Sequence, residues 1–170
     1  MKKLNKQDKE YYEIIKDIEE NEKFKRTKQC RHHGITRYEH SEKVAYQSYK
    51  IAKRLNLDYI STARGALLHD FFIEKEDLTN TQTKLSMFFH PYYALSNAKK
   101  YFKLNKLEKN IIISHMFPTL PHKIPLYKES LIVSIVDKIV ATKEFYQSYG
   151  KKYVYKLSNA YLLLLTFIKY

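Results

Sequence analysis

Apolar residues recur at helical spacing in at least five places along this 170-residue chain, and strict apolar-polar alternation over four or more positions is hard to find. That pattern predicts an all-α fold. The shortage of turn formers agrees with it, because 3 Gly and 4 Pro are too few for a sandwich or barrel that turns roughly every 8 to 12 residues. With 44% hydrophobic residues, including 16 Tyr and 9 Phe, there is enough apolar surface to close one core. A length of 170 residues suits one domain rather than two, so we expect a single helical bundle over residues 1–170.

Local signals divide the chain. Tyr11, Ile14, Ile15 and Ile18 in a charged background predict an amphipathic helix near residues 8–24, a peripheral element within residues 1–30. Thr36 followed by Glu39 forms a capping box and places a helix at 37–56, with His40 in its first turn. Asp58 caps a third helix through YISTARGALLHDFF, and EKEDLTNTQTK after it reads as a loop. His90 precedes Pro91 and is expected at the cap of the helix YYALSNAKKYF. A short helix, LEKNIIISHM, leads to the rigid segment FPTLPHKIP and then to the apolar helix ESLIVSIVDKIVATKEFY, which Gly150 should end. The last helix, within 151–170, is apolar on most sides and fits either the domain's own core or a partner surface such as that of a homo-oligomer.

A net charge of +13 favours contact with polyanions, although lysine-rich composition alone gives the same balance. No zinc-finger spacing or arginine-rich block supports sequence-specific nucleic-acid reading, so a nucleic-acid partner is left without a motif. A lone Cys30 excludes an internal disulfide framework, and the basic start is not followed by the apolar stretch of a signal peptide. We therefore expect a cytoplasmic protein with no membrane span, since YLLLLTFI falls far short of the ~20 residues required.

Several polar residues stand where a core should be. Asp137 lies in LIVSIVDKIV, His69 and Asp70 in ALLHDFF, and His115 in IIISHMF. A carboxylate buried alone costs several kcal/mol, so each must find a cation, a set of donors or a metal. Of the five arginines only Arg64 lies in such a helix, five residues from His69 and on a different part of its surface. Metal accounts for the whole set most economically, and mixed imidazole and carboxylate donors suit Mn, Fe, Co, Ni or Zn. Taken one at a time, each of these histidines also fits a plain hydrogen-bonded core position.

The segments YEHSEKVAYQSYKIAKRL, RGALLHDFF and IVDKIVA together resemble the HD-domain superfamily of metal-dependent phosphohydrolases over residues 32–145. The matching positions are His40, the pair His69-Asp70, and Asp137; His90 in HPYYAL and His115 in IIISHMF match the two extra histidines of its binuclear subset. The resemblance implies one divalent transition-metal ion on His40, His69, Asp70 and Asp137. A second ion would sit on His90 and His115, with Asp70 bridging. It further implies attack on phosphorus by a metal-held hydroxide, with Lys138 and Arg64 as cations stabilising developing charge. His33 would act as an acid or as a partner of the first ligand, unless it is a plain loop histidine; His122 is taken as incidental. FFIEK after His69-Asp70 departs from the cyclic-dinucleotide phosphodiesterase branch, which has isoleucine, glycine and lysine there, and its glycine-tyrosine-proline signature is absent. The expected substrate is a small phosphorylated molecule, a nucleotide first. The alternatives are a di-iron oxygenase of the same superfamily and a non-catalytic metal-bound sensor or partner-binding module.

Overall fold

The computed structural model describes residues 6–32, 35–73 and 86–168, and beyond Gly150 only the helix path is considered. The fold is all-α apart from one small ribbon. Helix α1 spans Lys6–Glu19 and α2 spans Glu22–Lys25, followed by a 3-10 turn over Arg26–Gln29. The one N-terminal helix expected near 8–24 is thus two, because Asn21 Oδ1 accepts from the backbone N–H groups of Lys23 (3.0 Å) and Phe24 (3.1 Å) and caps a new helix. Tyr11, Ile15, Ile18 and Phe24 from this region are buried in the main core. Strands β1 (Arg31–His32) and β2 (Ile35–Thr36) form an antiparallel pair pairing Arg31 with Thr36, which delivers the chain to the next helix.

Helix α3, Arg37–Arg54, carries the predicted capping box, with the Thr36 side chain accepting from the Glu39 N–H and Glu39 reaching back to the Thr36 N–H. It ends in a Schellman turn in which Asn56 takes a left-handed conformation (φ 53°) and Leu57 N–H reaches the Ala52 carbonyl at 2.9 Å. Asp58 then caps α4, Tyr59–Leu67, through the Ser61 N–H at 2.9 Å. Helix α5 runs Ser86–Tyr101, α6 Lys106–Ser114 and α7 Lys128–Ile168. Within α7, Gly150 departs from helical geometry (φ 64°, ψ 178°), the break expected of it. Helices α3 and α4 lie at the centre, α3 packed also on α7 and α4 also on α1 and α6. The core joins Val44 and Tyr49 of α3, Leu67 of α4, Ile111 and Ile112 of α6 and Val133, Val136 and Val140 of α7.

Two boundaries differ from expectation and both bear on the site. Helix α4 stops at Leu67, so His69 and Asp70 stand on the turn after it, where the Asp70 carbonyl accepts from the Phe72 N–H at 2.8 Å. Helix α5 starts at Ser86, so His90 is inside the helix instead of capping it, and Pro91 gives up one helical hydrogen bond. Burial of His90 against Phe72, with ring centroids 5.5 Å apart, accompanies this override of local preference. The loop expected at 74–84 lies outside the described residues. Among the described residues, no helix is long and apolar enough to cross a membrane.

Candidate metal centre

Six side chains from five elements meet between α3, α4, α5, α6 and α7. His40 in the first turns of α3, His69 and Asp70 after α4, His90 on α5, His115 capping α6 and Asp137 on α7 are all buried. Their polar atoms converge: His69 Nε2 lies 3.6 Å from Asp137 Oδ1 and 3.9 Å from Asp70 Oδ2, and His40 Nε2 lies 3.0 Å from Asp137 Oδ1. The other oxygen of Asp70, Oδ1, faces His90 Nε2 at 3.3 Å and His115 Nε2 at 3.7 Å, while those two ring nitrogens are 2.8 Å apart. Two overlapping groups able to hold a metal ion result: His40, His69 and Asp137, then His69, Asp70 and His115.

The ring tautomers follow from the backbone. His69 Nδ1 donates to the Ala66 carbonyl at 2.6 Å and His115 Nδ1 donates to the Ile112 carbonyl at 2.8 Å, each reaching back one helical turn. Both rings therefore turn a bare Nε2 lone pair inward, the arrangement that metal-ligating histidines adopt. His69 Nε2 is buried without a hydrogen-bond partner among the described residues, a cost that a bound cation removes. Burial, and then the neighbouring His69 and His115-facing His90 rings, keep His115 well below the usual imidazole value and so neutral. Although burial opposes it, the hydrogen bond from His40 holds Asp137 well below the usual carboxylate range and so ionised. A neutral imidazole and an ionised carboxylate are the forms that bind a transition metal. The donor set fits such an ion.

Sequence reasoning missed two residues. Glu144, seven positions after Asp137 and therefore on the same face of α7, is 2% exposed; His40 Nδ1 donates to its Oε2 at 2.7 Å, and Lys43 holds its Oε1 at 3.0 Å. That seven-residue spacing of acids in an apolar helix was the available signal. Glu144→Gln should weaken metal affinity roughly 10- to 100-fold while preserving the helical fold, as read by metal titration beside circular dichroism. Unchanged affinity would show that His40 needs no such support. The second residue is Arg37, buried below α3's first turn: its Nη1 donates to the Phe72 carbonyl at 3.0 Å, its guanidinium covers the Phe72 ring at 3.8 Å, and its Nε is 3.9 Å from Asp70 Oδ2.

Arg37 also corrects the expectation for Arg64. The Arg64 guanidinium binds both carboxylate oxygens of Asp17, Glu108 Oε1 at 3.0 Å and the Ile14 carbonyl at 3.1 Å, none of them in the cluster. Its five-residue offset from His69 turns it away, and it ties α4 to α1 and α6. Lys138 lies beside the cluster, donating to Asp137 Oδ2 at 3.2 Å and to the His115 carbonyl. His33 lies outside the described residues. His122 is remote from the cluster's ligands in its contacts, its Nε2 pairing with the Tyr92 hydroxyl at 3.2 Å near the surface.

His40 supplies a pH test. Burial disfavours its charged form, but hydrogen bonds to Asp137 and Glu144 and the charge of Asp70 outweigh that and lift it from 6.5 to about 9. A folded value above the unfolded one means that this proton stabilises the metal-free fold fully below pH 6.5 and that the gain is lost as pH rises to about 9. Metal must displace the Nε2 proton, so its affinity should rise through the same window. Thermal denaturation of chelator-treated protein, with and without added Mn, should show the two trends running in opposite directions. Metal-free stability that climbed with pH here would remove His40 as the titrating group.

The family model of the HD domain matches residues 37–142, the stretch that holds all six side chains. No curated protein and no solved structure matches. With a family model covering more than half its length and four of its histidines and two of its aspartates gathered in one buried cluster, the chain belongs to the HD-domain superfamily of metal-dependent phosphohydrolases.

Proposed function

We propose that this chain is a metal-dependent hydrolase of a phosphoester or phosphoanhydride bond in a small molecule, a nucleotide first among them, acting in the cytoplasm as a single HD unit. The observation that carries the reading is the inward pair of bare imidazole nitrogens, His69 and His115, set around Asp70 and Asp137. His40, His69, Asp70 and Asp137 would hold one divalent ion, and Asp70, His90 and His115 a second, with the two oxygens of Asp70 directed to the two sides. Held by these residues, divalent ions would supply Lewis acidity to a phosphoryl oxygen and would lower the pKa of a bound water toward neutrality.

The chain's own residues do the rest. Glu144 keeps the Nδ1 proton of His40, leaving Nε2 for the metal. Arg37 and Lys138 are cations at the two carboxylates, and Lys138, 35% exposed, is the one positioned to reach an incoming phosphate. His90 and Asp137, with side chains 11% and 12% exposed, are the least enclosed of the six and fit the entry path. The basic balance of +13 draws anions toward the protein as a whole.

The test is to strip the full chain with chelator, reload it with Mn, Fe, Co, Ni or Zn, and follow phosphate release from a panel of nucleotides and sugar phosphates. Metal-dependent release from at least one substrate is the expected result. Two bound irons with an oxygen-sensitive visible spectrum and no phosphate release would replace hydrolysis by the oxygenase reading. Tight metal binding with no turnover on any substrate would leave only the sensor module.

A further inference from the structure

A second concavity lies on the opposite side of α3 from His40, between that helix and α1. At 100° per residue, Tyr38, Glu42 and Tyr46 of α3 point away from the metal cluster. They meet Tyr11, Tyr12 and Glu19 of α1 around a cavity of about 640 Å³, within the size range of small-ligand sites. In a protein of net charge +13 this is a locally acidic place.

Its polar groups are incompletely matched. Tyr11 is 5% exposed and its hydroxyl has no hydrogen-bond partner among the described residues; the same holds for the buried Oε1 of Glu19. The Tyr38 hydroxyl donates to the other oxygen, Glu19 Oε2. Burial, then the charge of Glu19, holds Glu42 above the usual carboxylate range, and Lys43 only partly opposes this. The Lys43 ammonium is committed to Glu144 at 3.0 Å, and Glu39 is committed to the Thr36 cap. Two of the rings already attract cations: Lys28 lies 4.3 Å from the Tyr38 centroid and Lys50 lies 4.5 Å from that of Tyr46.

We propose that this tyrosine- and glutamate-lined cavity binds a small aliphatic amine, its ammonium group placed between Glu19 and Glu42 and its methylenes against the tyrosine rings. An ammonium is a donor and counter-charge for the Glu19 and Glu42 carboxylates, and an alkyl chain suits the ring faces. The inference is independent of the metal centre, since no ligand of that centre lines the cavity.

Calorimetric titration of the full chain should detect 1,4-diaminobutane with saturable affinity tighter than about 1 mM. Neutral 1,4-butanediol, of the same length, should not bind. Glu42→Gln should weaken the diamine at least about tenfold, since it removes one counter-ion without changing volume; Glu19→Gln should do likewise. Circular dichroism and metal uptake of both variants should match the parent, which separates a lost ligand from a lost fold. A titration with N-acetyl-lysine amide tells whether the cavity accepts an amine on a peptide stem as well. Absence of diamine binding, equal binding of the diol, or unchanged affinity in both folded glutamine variants would overturn the proposal.

Discussion

Asp70→Ala should leave the protein unable to retain transition metal and should end all measurable phosphate release. Asp70 is the one carboxylate whose two oxygens face both sides of the cluster, Oδ2 toward His69 and Oδ1 toward His90 and His115. Without it, three imidazoles that crowd one another lose the negative charge that makes a dication welcome among them. The substitution also takes the carboxylate from beside the buried Arg37 guanidinium, and losing one partner of a buried charge pair can cost about 3–5 kcal/mol. Asp70→Asn is therefore the companion variant, keeping volume and one oxygen while dropping the charge. Both should fail to bind metal by elemental analysis after dialysis. Lys138→Ala, in contrast, should keep its metal and turn over roughly 10²-fold more slowly, the cost of losing one positioned donor. A folded Asp70→Asn variant that retained two ions and full activity would remove the bridging assignment.

Phe71→Ala should cost about 3–5 kcal/mol in a urea unfolding experiment, the range for deleting a wholly buried aromatic side chain. Phe71 is fully buried and stands against Phe24 at 5.5 Å, Tyr101 at 5.9 Å and Phe102 at 6.0 Å, joining α2 and α5 to the turn after α4. Its carbonyl accepts from Asn97 Nδ2 at 3.1 Å. The ring and that hydrogen bond fix the chain next to Asp70, so metal affinity should fall together with stability. Phe71→Leu, which leaves most of the volume filled, should lose clearly less of both. Equal stability of Phe71→Ala and the parent would mean that the aromatic cluster does not hold the turn.

The helices were readable because their signals are local. Thr36 with Glu39, Asp58 with Ser61 and the positive φ of Gly150 each act within a few residues of themselves. The cap at Asn21 is just as local but was masked by an apolar pattern that continues across it, and the start of α5 was lost because tertiary packing of His90 outweighs the preference before Pro91. Of the six clustered residues, His69, Asp70, His115 and Asp137 were legible from their placement in apolar runs, and His40 and His90 only from the family resemblance. The reason they need a metal was not. Composition suggested that the carboxylates lacked partners, yet Arg37 stands by Asp70 and Lys138 by Asp137. What the fold leaves over is imidazole, above all His69 Nε2. Arg37 was invisible as a site residue because it opens a helix thirty-three positions before Asp70, and only tertiary folding joins them.

A hydrogen atom in place of a methyl group governs how far apart two of these rings can stand. A Cβ on Gly65 would lie 3.0 Å from Ile111 Cδ1 and 3.1 Å from its Cβ and Cγ2, so α4 and α6 touch at that point with no slack. Gly65 is one turn before His69 and Ile111 one turn before His115, whose rings are 4.8 Å apart. Any bulk at 65 would wedge the helices open and move His69, on the first ion's side, away from His115, on the second's. Gly65→Ala should therefore weaken retention of a second ion relative to the first in a metal titration, and an unaltered stoichiometry would show the helices yielding elsewhere. How closely two ions can be paired is then set by a residue that meets neither.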